Sequence, residues 1–79
     1  MPRYFFNIRE GDHVSVDEEG MILSGLDAAE AEAEQSGREL LADMLRDGTP
    51  LDGQIIEVTN EEGAILKRVG LKSLFWVSA

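Results

Sequence analysis

His13 is the single histidine of the chain, and it stands in the run Gly11-Asp12-His13, four residues before Asp17-Glu18-Glu19. An imidazole beside carboxylates is the arrangement of a general base or of a metal ligand. A small ligand-binding or enzymatic domain using His13 with nearby carboxylates is therefore one reading of this stretch. The plainer reading is a turn histidine in water. Asp17-Glu18-Glu19 and Glu61-Glu62 offer oxygen ligands of the kind Ca²⁺ and Mg²⁺ take. They lack the alternating ligand positions and the closing glutamate of an EF-hand loop, so solvated turns explain them more simply. Ser36 lies in a helical pattern beside Gly37, outside any Gly-x-Ser-x-Gly elbow. Without cysteine the chain has no thiol nucleophile, thiolate metal site or disulfide. The eight glycines are scattered, and none forms a phosphate-cradling loop. No catalytic residue, metal ligand or cofactor is expected, and the chain reads as a non-enzyme.

Seventy-nine residues set one domain, 1–79, near the lower size limit for a single core. A hydrophobic fraction of 43% is ordinary for a globular chain. No run approaches the roughly 20 apolar residues of a membrane span, and the opening Met-Pro-Arg-Tyr-Phe-Phe enters a strand pattern rather than a signal-peptide layout. A cytoplasmic location away from membranes is expected. The net charge of −9 argues against a nucleic-acid partner, whose phosphates reward clustered Lys and Arg. All 16 acidic residues lie at or before Glu62, whereas Lys67, Arg68 and Lys72 follow with no acid among them. That asymmetry is either a basic segment lying on the chain's own acidic surface or a docking site.

The elements that must position these groups are organised around one helix, Asp27 to Arg46. Asp27 has the chemistry of an N-cap, with Glu30 three residues on as in a capping box and Leu26 as half of a hydrophobic staple. Gly48 suits a left-handed C-terminal cap, and Pro50 prevents continuation. The face Ala29, Ala33, Gly37, Leu40, Leu41, Met44 and Leu45 starts small and ends large. A glycine in mid-helix costs about 1 kcal/mol relative to alanine, so Gly37 implies close backbone approach to a sheet. Arg3 to Arg9 alternates as a strand, with Tyr4, Phe6 and Ile8 on one face and Phe5 on the other. Short strands follow at Val14–Val16 and Met21–Leu23, separated by the turn Asp17-Glu18-Glu19-Gly20. After the helix, Gln54–Thr59 and Ala64–Val69 form a hairpin around Asn60-Glu61-Glu62-Gly63. The matched turns suggest the same hairpin chemistry twice. Residues 71–79 fit helix or strand, as a tail that packs back or joins a neighbour.

This order, β-β-β-α-β-β, gives an α+β fold with an antiparallel sheet and one central helix packed on one face. The other sheet face is left open, with Phe5, Ile55 and Ile65 on it. An exposed apolar face implies a protein partner or a homodimer. The candidate partner surface is that face together with the basic-aromatic C-terminal stretch: Lys67, Arg68, Lys72, Phe75 and Trp76.

The segments Pro2-Arg3-Tyr4-Phe5-Phe6, Asp17-Glu18-Glu19-Gly20, Leu51-Asp52-Gly53 and Ile56-Glu57-Val58 before Asn60-Glu61-Glu62-Gly63, with the Ala/Glu/Arg/Leu-rich helix, resemble a family of small proteins of unknown function found in rhizobia and related alphaproteobacteria. The resemblance covers about residues 2 to 74 and implies an uncharacterised bacterial domain with no established catalytic residues. A second, partial similarity is to partner-binding antitoxins of the HicB type, carried by Gly25-Leu26-Asp27-Ala28-Ala29-Glu30-Ala31 at the start of the helix. It implies a partner-binding role. The reading favoured by these observations is a non-enzymatic protein-interaction or regulatory module.

Overall fold

The computed structural model describes residues 1–74; the expectations placed on Phe75, Trp76 and the rest of 75–79 lie outside it. Five strands and two helices follow in the order β1 (Arg3–Glu10), β2 (His13–Ser15), β3 (Met21–Ile22), α1 (Leu26–Asp47), β4 (Ile55–Thr59), β5 (Ile65–Gly70) and α2 (Leu71–Leu74). The sheet is antiparallel throughout, in the order β2-β1-β4-β5, with β3 also paired to β1. The α+β architecture with one central helix on the sheet is the one the pattern implies.

The alternation in β1 puts Tyr4, Phe6 and Ile8 on the α1 side, where Tyr4 is buried and the other two pack against the core. Across the ladder Phe6 faces Val58 and Ile8 faces Ile56. On the next strand Ile56 faces Val69. These side chains meet Ala29, Ala33, Leu41 and Met44 of α1 and Leu71 of α2 in one core.

Helix α1 starts earlier than the capping box suggests. Gly25 is the N-cap, with no side-chain cap, and its carbonyl accepts from the Ala29 amide at 3.0 Å. Asp27 instead sits inside the first turn, where its charge opposes the helix dipole favourably, and Leu26 is 42% exposed rather than stapled. At the other end Gly48 takes the left-handed conformation (φ 74°) and donates its amide to the Met44 carbonyl. The apolar stripe holds from Ala29 to Met44, but Leu45 is exposed. A four-residue step advances about 40° around a helix of 3.6 residues per turn. The run 29-33-37-41 therefore drifts off the core, and the three-residue step to Met44 returns to it while Leu45 continues outward.

The two Glu-Glu-Gly turns differ. Asn60 closes a β4–β5 hairpin: its side-chain oxygen accepts from the Glu62 and Ala64 amides at 3.0 and 2.9 Å. Asp17 closes no hairpin. β2 and β3 do not pair with each other; both pair with β1 on one edge. Between Ile8↔Ser15 and Tyr4↔Met21, three residues of β1 face the five residues from Val16 to Gly20. The returning chain bulges away there, and Val16 is 66% exposed. The Asp17 carboxylate fills the break. It accepts from the Phe6 amide of β1 and from the Glu19 and Gly20 amides of its own loop, while its own amide donates to the Asn7 side chain. Gly20 has a positive φ of 69°, and a Cβ there would come within 2.7 Å of the Tyr4 carbonyl oxygen.

Gly37 is where α1 comes closest to its neighbours. A Cβ on it would collide with a Leu74 methyl and lie 3.3 Å from Ile56 and Leu71 methyls. The helix is thus pressed onto β4 and against the short α2 that follows β5. Gly37→Leu is expected to cost about 3 kcal/mol or more by overpacking, a large part of the few kcal/mol available to a domain this size. A denaturant melt checks this: an unchanged midpoint would refute the close contact.

Candidate partner surfaces

The strand register sorts the basic residues by face. Arg3, Phe5, Asn7 and Arg9 of β1 point away from α1, as do Ile55, Glu57 and Thr59 of β4. Arg68 is opposite Glu57 and Ile65 is opposite Thr59, so both belong to this open face. Phe5 and Ile55 are half-buried by their neighbours and Ile65 is 39% exposed. A chain of net charge −9 therefore gathers three of its seven cations on one face, whose strand positions carry a single acid.

That acid, Glu57, is 3% exposed. Its Oε2 accepts from Arg9 Nε at 2.9 Å and lies 3.5 Å from Arg68 Nε. The two arginines are 41% and 61% exposed, so the carboxylate lies under one layer of side chains rather than in deep core. The Arg9 hydrogen bond, outweighing the opposing effect of burial and helped by the charge of both arginines, holds the Glu57 carboxyl below its ordinary value of 4.5. Arg9 reaches Glu57 through Nε in a hydrogen bond, and the closest approach of Arg68 to the same oxygen is also through Nε.

Of the other sequence-predicted surface residues, Lys67 and Lys72 are described, and Lys67 does not join this face. Lys67 alternates to the α1 side, opposite Val58, and pairs with Glu30 at 2.7 Å. That pairing raises its ammonium above the ordinary lysine value, by the hydrogen bond first and the Glu30 charge second. Of the two alternatives for the basic segment, Lys67 takes the first, lying on the chain's own acidic helix, while Arg68 points the other way. Lys72 is exposed in α2. His13 is exposed on β2, opposite Glu10, and lines neither of the two surface cavities. Asp17, one of the carboxylates expected beside His13, is instead committed to backbone amides. Among the described residues, no three His, Asp or Glu side chains converge as a metal would need.

Nothing in the residue pattern marks a second surface, which lies on the α1 side of the sheet. Helix α1 lies over β4 and β5, and beside it the stretch of β1 around Phe6 and Ile8 is only partly covered. A cavity of about 320 Å³ opens there between Phe6, Ile8, Met21, Leu40 and Ile56, with Asp17, Glu19 and Glu32 at its rim. A second, of about 270 Å³, shares Ile8 and Leu40 and continues toward Asp43 and Asp47. Together they form an apolar trough with acidic lips.

The Glu57 cluster sets a pH dependence. A carboxyl whose folded value lies below 4.5 stabilises the fold fully above that value, and the contribution is lost as pH falls through the depressed one. Glu57→Gln is expected to cost about 1–2 kcal/mol near neutrality, discounted for the solvent reaching both arginines, and to flatten the acid limb of stability against pH. Parallel acid limbs in melts of the two proteins would contradict the assignment.

Comparison with curated proteins finds no match, and none is found among solved structures. The family comparison spans the described fold from the first residue of β1 into α2. Over residues 3–72 the chain belongs to the family described as a domain of unknown function, DUF6894.

Proposed function

We propose that this domain is a non-enzymatic protein-interaction module, cytoplasmic, whose docking surface is the open sheet face and whose occupant is an acidic, apolar-interspersed segment of another protein. The observation that supports the reading is the charge sorting: Arg3, Arg9 and Arg68 surround the apolar Phe5, Ile55 and Ile65 in a chain that is otherwise strongly acidic. Planar guanidiniums, part-exposed at Arg9 and Arg68, suit partner carboxylates, while Arg3 donates one terminal N–H to the Glu19 carbonyl at 2.8 Å. Apolar side chains between the arginines supply the burial that association needs. A second copy of the chain is the less favoured occupant. Two such faces meeting about a two-fold axis would bring like charges together, and Lys67 and Arg68 on the edge strand β5 discourage edge-to-edge pairing.

No helix among the described residues is long and apolar enough to cross a membrane, in keeping with the proposed location. The reading in which His13 works with carboxylates has no supporting geometry among the described residues. The similarity to HicB-type antitoxins rests on Gly25 to Ala31, which is the Gly25-capped start of α1 and reports fold rather than partner choice.

The test is an NMR titration with a peptide alternating Glu with Val or Leu, beside its Lys counterpart. The acidic peptide is expected to shift amides of β1, β4 and β5, and Arg68→Glu with Ile65→Glu to weaken it roughly tenfold. Equal binding of the Lys peptide, or no saturable shift, would contradict the proposal. A concentration-dependent dimer that Arg68→Glu disrupts would make a second copy the occupant.

A further inference from the structure

We infer that the trough beside α1 is a second docking site, on the opposite side of the sheet, and that it takes a basic amphipathic helix of about four turns from a partner protein. Its length comes from α1 itself. From Glu32 to Asp47 the helix advances about 22 Å at 1.5 Å per residue, and the two neighbouring cavities, which share Ile8 and Leu40, are lined by α1 residues over that span. The floor is the partly covered face of β1 at Phe6 and Ile8, not a strand edge. Its backbone groups are already paired with β2 and β4 around Ile8, so an incoming segment has side chains to pack against and no ladder to join. A helix, which satisfies its own backbone, is the element that fits such a floor. Covering both halves of one sheet face with two parallel or antiparallel helices is also the ordinary solution of layered packing.

The lips specify the charge. Asp17 and Glu19 stand on the loop side, and Glu32, Asp43 and Asp47 on α1. Among the described residues only Asp43 of these five has an ion-pair partner, Arg46 at 2.7 Å. Glu32 accepts from Ser36 and Asp17 from backbone amides, and both line the trough. Phe6, Ile8 and Leu40 are partly buried and already packed on the core, so a leucine stripe laid over them would complete their burial. The occupant's lysines or arginines would then flank that stripe, reaching acids on both sides.

The site is separate from the open face, so the two proposals stand or fall apart. The probe is a synthetic peptide of about 16 residues, the length of four turns, with Leu on one helical stripe and Lys elsewhere. Three controls accompany it: the same stripe with Glu for Lys, a scrambled order of the same residues, and spermidine. The full chain is expected to bind the Lys–Leu peptide saturably, with shifts at Phe6, Ile8 and Leu40, and less tightly as salt rises. Asp43→Lys with Asp47→Lys, both exposed and remote from the core, should keep the melting midpoint and weaken binding roughly tenfold. Leu40→Lys should weaken it as well. Undiminished binding to the charge-reversed variant overturns the proposal. So does equal binding of the Glu or scrambled peptide, or a shift pattern confined to the open face. Spermidine alone reproducing the shifts at the peptide's concentration would make the trough a small-cation site instead, and would equally overturn a helical occupant.

Discussion

The approach of α1 to β4 and α2 at Gly37 decides where the rest of the molecule goes. With methyls of Ile56, Leu71 and Leu74 against the glycine, the helix is held over the β4–β5 half of the sheet. Ala29 and Ala33, both wholly buried, keep the same close spacing along the preceding two turns. A helix about 10 Å across cannot also cover β1 and β2 when strands are spaced about 4.8 Å apart. The trough on one side of the sheet and the open face on the other are consequences of that placement. So is the pairing of Lys67 with Glu30, which reaches across the tight side of the helix.

Electrostatics follows the same geometry. Alternation along β1, β4 and β5 turns Arg3, Arg9 and Arg68 away from α1, while the helix and its flanking loops carry most of the acids. The result is one basic apolar face and one acidic apolar trough in a domain two layers thick. Glu57 is the acid that makes the basic face tolerable: without it Arg9 and Arg68 would meet with no counter-charge. Structural need and recognition chemistry therefore overlap at that carboxylate, since the guanidinium edges it does not use are those proposed to meet a partner.

The helix was legible in the sequence because its signals are local. Spacing, Gly48 and the small-to-large stripe each depend on residues within a few turns of one another, and only the exact cap and Leu45 came out differently. Strand faces in β1 and β4 were legible for the same reason. The pairing of β2 and β3 was not, because alternation fixes which way a side chain points and says nothing about which strand lies alongside. The shared Asp/Asn-Glu-Glu-Gly pattern favoured two hairpins, yet the same Asx-type capping serves a hairpin at Asn60 and a bulged edge at Asp17. Glu57 reads in sequence as the polar member of Ile56-Glu57-Val58; its burial depends on Arg9 and Arg68, 48 and 11 residues away. The trough escaped notice because a single amphipathic helix announces that it covers a sheet, and not which half.

What ties these features together is partial cover: one face of the sheet half-protected, the other bare. Methyl relaxation enhancement by a soluble paramagnetic probe measures that directly. The account predicts strong enhancement at the methyl groups of Ile65, intermediate enhancement at Ile8, Leu40 and Ile55, and protection at Ile56 and Val58. Protection of Ile8 and Leu40 equal to that of Val58 would place the helix elsewhere on the sheet and contradict it.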